Sequence, residues 1–106
     1  MRSARTKATG IYDFTKKVVW ERDGHCCIFC GREVVMFYAC SHVIPRSGGG
    51  LGIEENVITA CWDCHSKMDN TTNRKPMLKI ANDYLRSKYP NFDTVQKIYT
   101  KGWERK

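Results

Sequence analysis

The chain has 106 residues, with 18 Lys and Arg against 11 Asp and Glu, which gives a formal net charge of +7 at pH 7. That length leaves room for one domain, and the longest apolar run (34–40) is far shorter than the roughly 20 residues of a membrane-spanning helix. No signal peptide is visible, so we expect an intracellular protein with reduced cysteines and, because of its charge, a polyanionic partner such as nucleic acid.

The N-terminal half predicts a basic arm, a helix and a hairpin. Residues 1–10 lack periodicity and predict a flexible basic arm. Residues 13–22 predict a short amphipathic helix that ends at Asp23-Gly24, followed by a cysteine-rich turn at 25–31. Two β-rich runs, 33–44 and 56–61, predict a hairpin, and the glycine-rich segment 47–52 between them predicts a flexible loop with nothing to pack against.

The C-terminal half predicts three helices. The first covers 62–70, and the second runs from Pro76, which suits a first helical turn, to about residue 89 after an interruption at 70–73. A third is expected at 92–100, before a basic tail at 101–106. We therefore expect an α+β domain at 11–100, with a core at about 22–70 and C-terminal helices at about 74–100.

Two Cys-x-x-Cys pairs, Cys27/Cys30 and Cys61/Cys64, predict a structural zinc site. Each pair places two sulfurs on one side of a tight turn, and together they supply the four thiolates that tetrahedral Zn²⁺ binds at about 2.3 Å. The alternatives are disulfides or a redox motif, although redox Cys-x-x-Cys motifs occur singly beside a βαβ pattern. Two other residues could serve as zinc ligands: Cys26 in place of Cys27, or His25 as a substitute. We expect Cys40 to pack as a small apolar residue on its strand.

Between and just after these pairs, the order His42, Asn56, His65 resembles the HNH endonucleases of the ββα-metal superfamily. The resemblance covers about residues 22–70 and includes the segments CIFCG, SHVIPRSGGG, IEENVITACWDC and HSKMD. Thirteen residues separate His42 from Asn56 and eight separate Asn56 from His65, which is ordinary for the family. The resemblance implies a ββα-metal core stapled by a four-cysteine zinc site, with flanking helices.

The resemblance also implies a metal-dependent DNA endonuclease that hydrolyses phosphodiester bonds. His42 would be the general base, a role that suits an imidazole whose ordinary pKa lies near 6.5. Asn56 would fix either His42 or the loop backbone, and His65 would bind a divalent cation such as Mg²⁺, Mn²⁺ or Zn²⁺. Ser41 stands where the family usually has an Asp, Glu or His metal ligand.

The remaining metal ligands are inferred from helical spacing. Asp69 lies four residues after His65, so a continuous helix sets both on one face. We expect His65 and Asp69 to be the main protein ligands, with Ser41 or a water completing the site. The alternative interpretation of Asp69 is an ordinary solvated helix residue.

Four basic side chains near the predicted site would hold the DNA: Arg46, Lys67, Arg74 and Lys75. Each of them taken singly is also consistent with a solvated surface charge. Phosphate contacts carry no sequence information, and the sequence adds no recognition module, so we expect weak sequence specificity. Chains of this type resemble those of bacteriophages and mobile elements, which implies action in a bacterium or bacterial host and, for some members, assistance to a packaging terminase. Because of Ser41, the alternative function is a non-catalytic, zinc-finger-like DNA-binding module with a decayed site.

Overall fold

A computed structural model describes residues 4–35 and 40–100 of the chain. Its regular elements, in chain order, are α1 (Ala4–Thr9), α2 (Asp13–Arg22), β1 (Cys40–His42), 3₁₀ turns at Arg46–Gly48 and Glu54–Asn56, β2 (Val57–Thr59), α3 (Trp62–Asp69) and α4 (Thr71–Lys88). This small mixed α+β architecture confirms the predicted fold class. Within the described ranges, no helix combines the length and the apolar character needed to cross a membrane.

The predicted hairpin is present as a two-stranded antiparallel sheet, in which Ser41 pairs with Ile58 and His42 pairs with Val57. Side chains alternate across a strand, so Ser41 is buried on one face whereas Cys40 and His42 are half-exposed on the other. Both strands are shorter than predicted, and residues 36–39 of the first run lie outside the described residues. The second strand is short because the chain turns into α3 directly after Ala60.

The hydrophobic core lies where α3 and α4 pack over the hairpin; its buried members are Val43, Ile58, Met68, Ala81, Leu85 and Phe92. Helices α2 and α3 occupy the predicted ranges. Helix α4 begins earlier than predicted, because the Asn70 side chain accepts a hydrogen bond from the Thr72 N–H (2.8 Å) and caps the helix. The predicted interruption is therefore confined to Asn70, and residues 71–73 form the first turn of α4.

A buried ion pair ties α2 to the hairpin and to α4. Arg22 donates to the carbonyls of Glu54 and Val57, both at 2.8 Å. The Asp23 carboxylate, whose side chain is fully buried, accepts from the Thr59 N–H (2.8 Å) and from the Tyr84 hydroxyl (2.6 Å). Sequence patterns indicated only a helix stop at Asp23, whereas the structure makes it the junction of three elements.

The N-terminal segment differs from the predicted flexible arm. Residues Ala4–Thr9 form helix α1, and Thr9 is only 3% exposed. Hydrogen bonds to the loop after β1 hold this helix, whose short length gives little sequence periodicity from which it could be predicted.

The glycine-rich loop and the C-terminal segment were also predicted wrongly. The loop is packed: Leu51 is 2% exposed. The segment 92–100 forms no helix but pairs with this loop, through a bridge between Gly50 and Ile98 and a 2.8 Å bond from the Leu51 N–H to the Lys97 carbonyl. Each segment supplies the hydrogen-bond partners of the other, which is a long-range effect that local patterns do not show.

Candidate metal centre and active-site pocket

The four predicted cysteines converge. The sulfurs of Cys27, Cys30, Cys61 and Cys64 all lie within 4.8 Å of one another. The Cys30 and Cys61 sulfurs are 3.6 Å apart, close to the roughly 3.8 Å edge of a tetrahedron with Zn–S bonds of about 2.3 Å and much longer than the roughly 2.05 Å of a disulfide. All six cysteines are described and all are free thiols. The donor set therefore fits a structural zinc ion.

Local backbone geometry presents these sulfurs. Gly31, at φ +79°, closes the first turn with a 2.9 Å bond from its N–H to the Cys27 carbonyl. Cys61 is the N-cap of α3, where its sulfur accepts from the Cys64 N–H at 3.4 Å. The second pair thus straddles a helix start, and the sulfur that would bind metal also caps the helix.

The environment favours a thiolate at Cys27. Burial raises the pKa of this thiol, but backbone hydrogen bonds from Cys61, Cys30 and Phe29 outweigh that effect and lower the pKa to about 7. Burial raises the pKa of Cys64. A metal ion would reverse this second effect, because zinc ligation keeps its thiols deprotonated.

The alternative zinc ligands lie elsewhere. Cys26 forms a backbone bridge with Glu33 and is absent from the four-sulfur cluster. His25 has φ 64° and stacks on Trp20, with 3.6 Å between the ring centroids. Neither residue contributes to the cluster.

His42 lies in a mostly polar pocket of about 290 Å³, whose other lining residues are Ile11, Lys16, Cys40 and Arg46. The Nε2 atom of His42 is 2.7 Å from the main-chain carbonyl oxygen of Thr9. A carbonyl can only accept, so Nε2 carries the proton and Nδ1 carries the lone pair of the neutral ring. Burial lowers the pKa of His42 from its ordinary 6.5, the Thr9 bond opposes this shift, and the nearby Arg46 charge adds to it. The imidazole is therefore neutral at pH 7.

The Asn56 side chain bonds to the loop backbone and not to His42. Its side-chain oxygen accepts from the Ile44 N–H (2.8 Å), and its amide donates to the carbonyls of Ile44 (3.1 Å) and Leu51 (2.8 Å). Asn56 is 1% exposed, so these bonds satisfy an amide that water cannot reach. The geometry therefore corresponds to one of the two roles anticipated for Asn56, which is to fix the loop backbone and not His42.

His65 and Asp69 share one face of α3. The Nδ1 atom of His65 is 3.5 Å from a carboxylate oxygen of Asp69, and the two side chains are 37% and 64% exposed. Ser41 is 2% exposed, on the face of β1 opposite His42. Over the described ranges, the cysteine cluster is the only group of three or more His, Cys, Asp or Glu side chains whose ligand atoms lie this close together, so the structure does not join His42, His65 and Asp69 into one cluster.

Residues 27–71 match the family model described as HNH endonuclease. The match covers less than half of the chain, and over this segment the chain is similar to HNH endonucleases. The match begins at Cys27, the first cysteine of the cluster, and takes in the second pair, the hairpin and all of α3. No curated protein and no solved structure matches the chain significantly.

The basic residues expected to contact DNA lie in different parts of the structure. Arg46 lines the His42 pocket, Lys67 is exposed on α3 within the matched segment, and Arg74 and Lys75 follow in the first half of α4. Two residues at the pocket were not anticipated. Lys16 belongs to α2, whose sequence indicated only an amphipathic helix, and Thr9 contributes a main-chain carbonyl, a group that every residue carries and no pattern reveals.

Proposed function

We propose that this chain is a metal-dependent DNA endonuclease in which His42 is the general base. The HNH match supports a nuclease or nucleic-acid-binding function with a metal site. The observation that favours catalysis is the pocket in which His42, neutral and with its lone pair at Nδ1, lies beside the cations Lys16 and Arg46. A neutral base next to two positive side chains suits the hydrolysis of a phosphodiester.

The proposed chemistry uses few groups of the chain. Nδ1 of His42 accepts a proton from water, the water oxygen forms a bond to phosphorus, and the bond from phosphorus to the leaving oxygen breaks, with that oxygen protonated by solvent. Lys16 and Arg46 hold the phosphate and offset its charge. Asn56 is a positioning residue, since it fixes the loop that carries Arg46 and does not touch the reacting atoms.

His65 and Asp69 are the residues we propose to hold the divalent cation, with Ser41 or a water as a further ligand. An imidazole nitrogen and a carboxylate oxygen 3.5 Å apart on an exposed helix face suit Mn²⁺ or Zn²⁺ and, less well, Mg²⁺. When bound, such an ion stabilises negative charge on the phosphate and on the leaving oxygen.

DNA is the proposed partner. Lys67 on α3 and Arg74 and Lys75 on α4 would contact the phosphate backbone. Contacts of this kind favour weak sequence specificity and binding that weakens with salt. Phage origin, action in a bacterial host and assistance to a terminase, which the family resemblance implies, stay predictions.

A plasmid-cleavage assay tests the proposal. The wild-type chain, His42→Ala and the matched control His25→Asn are incubated with supercoiled plasmid and Mg²⁺, Mn²⁺ or Zn²⁺. His25 lies outside the pocket at a positive φ that Asn tolerates, so the control should cleave like wild type. Loss of a general base should slow cleavage by roughly 10²–10⁴-fold.

A non-catalytic, zinc-finger-like DNA-binding module is the second candidate. Ser41 favours it, because a buried hydroxyl replaces the metal-binding carboxylate or imidazole usual at that position. The same assay separates the two functions. If the wild-type chain binds plasmid but leaves it supercoiled with every cation, the endonuclease proposal fails and the binding module stands.

A further inference from the structure

We propose that helix α1 is a positioning element of the active site, which fixes the His42 ring through the main-chain carbonyl of Thr9. This inference rests on the proposed role of His42 as a base. Residues Ala4–Thr9 lie outside the matched segment 27–71, so the family match does not assign them any role. The 2.7 Å contact between His42 Nε2 and the Thr9 oxygen nevertheless places them at the catalytic histidine.

Side-chain hydrogen bonds hold α1 against the loop after β1. The Arg5 guanidinium donates to the carbonyls of Arg46 (3.1 Å) and Ser47 (3.2 Å). These carbonyls belong to the 3₁₀ turn that follows Pro45. One arginine of α1 therefore bonds to the backbone of the segment that presents Arg46 to the pocket.

Thr9 contacts two of the three functional side chains of the pocket, His42 and Arg46. Its carbonyl meets His42, while its hydroxyl donates to the Arg5 carbonyl (2.8 Å) and accepts from Nε of Arg46 (3.4 Å). Thr9 is 3% exposed, so water does not compete for these groups. A displacement of Thr9 would alter the proposed base and the proposed phosphate contact together.

A close backbone approach sets the position of Thr9. The Gly52 N–H donates to the Ala8 carbonyl at 3.0 Å. A Cβ at position 52 would lie 2.1 Å from the Gly10 carbonyl oxygen, which no side chain can occupy without moving the backbone. The chain on both sides of Thr9 is therefore held against Gly52, and only glycine fits there.

The consequence for His42 is a fixed tautomer. A neutral histidine in solution populates both tautomers, and only the form with the proton on Nε2 leaves Nδ1 free to accept one. Once α1 is displaced, the ring loses this acceptor and populates both forms. Because Thr9 also contacts Arg46, KM for plasmid should rise as kcat falls, and the tautomer is the readout specific to the Thr9 carbonyl.

The test uses the full chain and ¹⁵N NMR of the histidine ring nitrogens at a pH where His42 is neutral. The wild-type chain should show His42 with its proton on Nε2. Gly52→Ala should show a mixture of tautomers and at least a tenfold lower kcat. Gly48→Ala is the matched control, because its added Cβ would meet only the Pro45 side chain at 4.0 Å, and it should match wild type in both readouts.

A second variant covers the case in which Gly52→Ala does not fold. Arg5→Gln combined with Thr9→Val removes the hydrogen bonds of the Arg5 and Thr9 side chains and keeps the volume at position 9. A mixture of tautomers in this variant supports the inference. A wild-type His42 that carries its proton on Nδ1, or a folded α1 variant with the wild-type tautomer, would overturn it. The tautomer is measured whether or not the chain cleaves DNA, so failure of the proposed function is a separate result.

Discussion

Gly50 lies directly against Asn56: a Cβ added at position 50 would be 2.9 Å from the Asn56 amide nitrogen and 1.7 Å from the Ile44 carbonyl oxygen. The amide bonds to the main chain of Ile44 on one side of this glycine and of Leu51 on the other. The long connection between β1 and β2 is therefore closed around a buried side chain, and its shape depends on that amide.

Asn56→Asp should destabilise the domain. The substitution keeps the volume but turns the donor toward the carbonyls of Ile44 and Leu51 into an acceptor, which leaves two buried carbonyls unsatisfied. At about 1–3 kcal/mol for each unsatisfied group, the free energy of unfolding should fall by about 2–6 kcal/mol, measured by urea denaturation. Asn70→Asp is the control, because Asn70 uses only its side-chain oxygen, as a helix cap, and Asp retains that oxygen. Equal stability of the two variants would contradict this account of Asn56.

Removal of metal should unfold the chain. Structural zinc contributes about 10–16 kcal/mol to small zinc-dependent folds, more than the stability of most small domains. Metal analysis of the purified chain should find about one zinc, and excess chelator should abolish the cooperative thermal transition. Cys27→Ser should lose the metal, whereas Cys26→Ser should retain it. Retention by Cys27→Ser, or a metal-free folded chain, would exclude the four-thiolate site.

The buried Arg22–Asp23 pair should contribute far more to stability than surface pairs do. Asp23→Ala leaves the Arg22 guanidinium without its carboxylate and the Thr59 N–H without an acceptor, and we expect a loss of about 3–5 kcal/mol in the free energy of unfolding. Asp83→Ala removes a carboxylate that pairs with Lys79 and Arg86 on the exposed face of α4, and should lower the free energy of unfolding much less because water screens these pairs. Denaturant titrations of the two variants give the comparison directly.

The pH dependence of cleavage should reflect the lowered pKa of His42. Only the neutral ring can accept a proton, so cleavage is lost as the pH falls through the His42 pKa, which burial and Arg46 place below 6.5. The acid limb of the rate profile should therefore lie below pH 6.5. Arg46→Gln removes one cause of the shift and should move this limb to higher pH. An acid limb above pH 6.5 in wild type would contradict the neutral histidine.

Much of the site was predictable because it depends on residue types and on their spacing along the chain. Two Cys-x-x-Cys pairs predict a cluster of four sulfurs, and the structure brings these atoms within 4.8 Å of one another. The four-residue interval from His65 to Asp69 predicts a shared helix face, and the two side chains lie 3.5 Å apart. Their roles in catalysis stay predictions.

The remaining features depend on contacts between distant segments. Thr9 reaches His42 through a main-chain carbonyl, and Gly52 is required by a carbonyl of Gly10, more than forty residues earlier. The prediction of a helix at 92–100 was wrong because the backbone of Gly49, Gly50 and Leu51 pairs with that segment. Local helix propensity takes no account of such long-range hydrogen bonds.

The double use of the Cys61 sulfur affects how the cysteine variants should be interpreted. This atom belongs to the metal cluster and also accepts the N–H of Cys64 at the start of α3, one residue before His65. Replacement of Cys61 would therefore remove a metal ligand and also fray the helix that carries His65. Cys30 is exposed and caps no helix. A substitution there separates the contribution of the metal from that of the helix, and position 30 is the better place for a reporter or for a designed change of coordination.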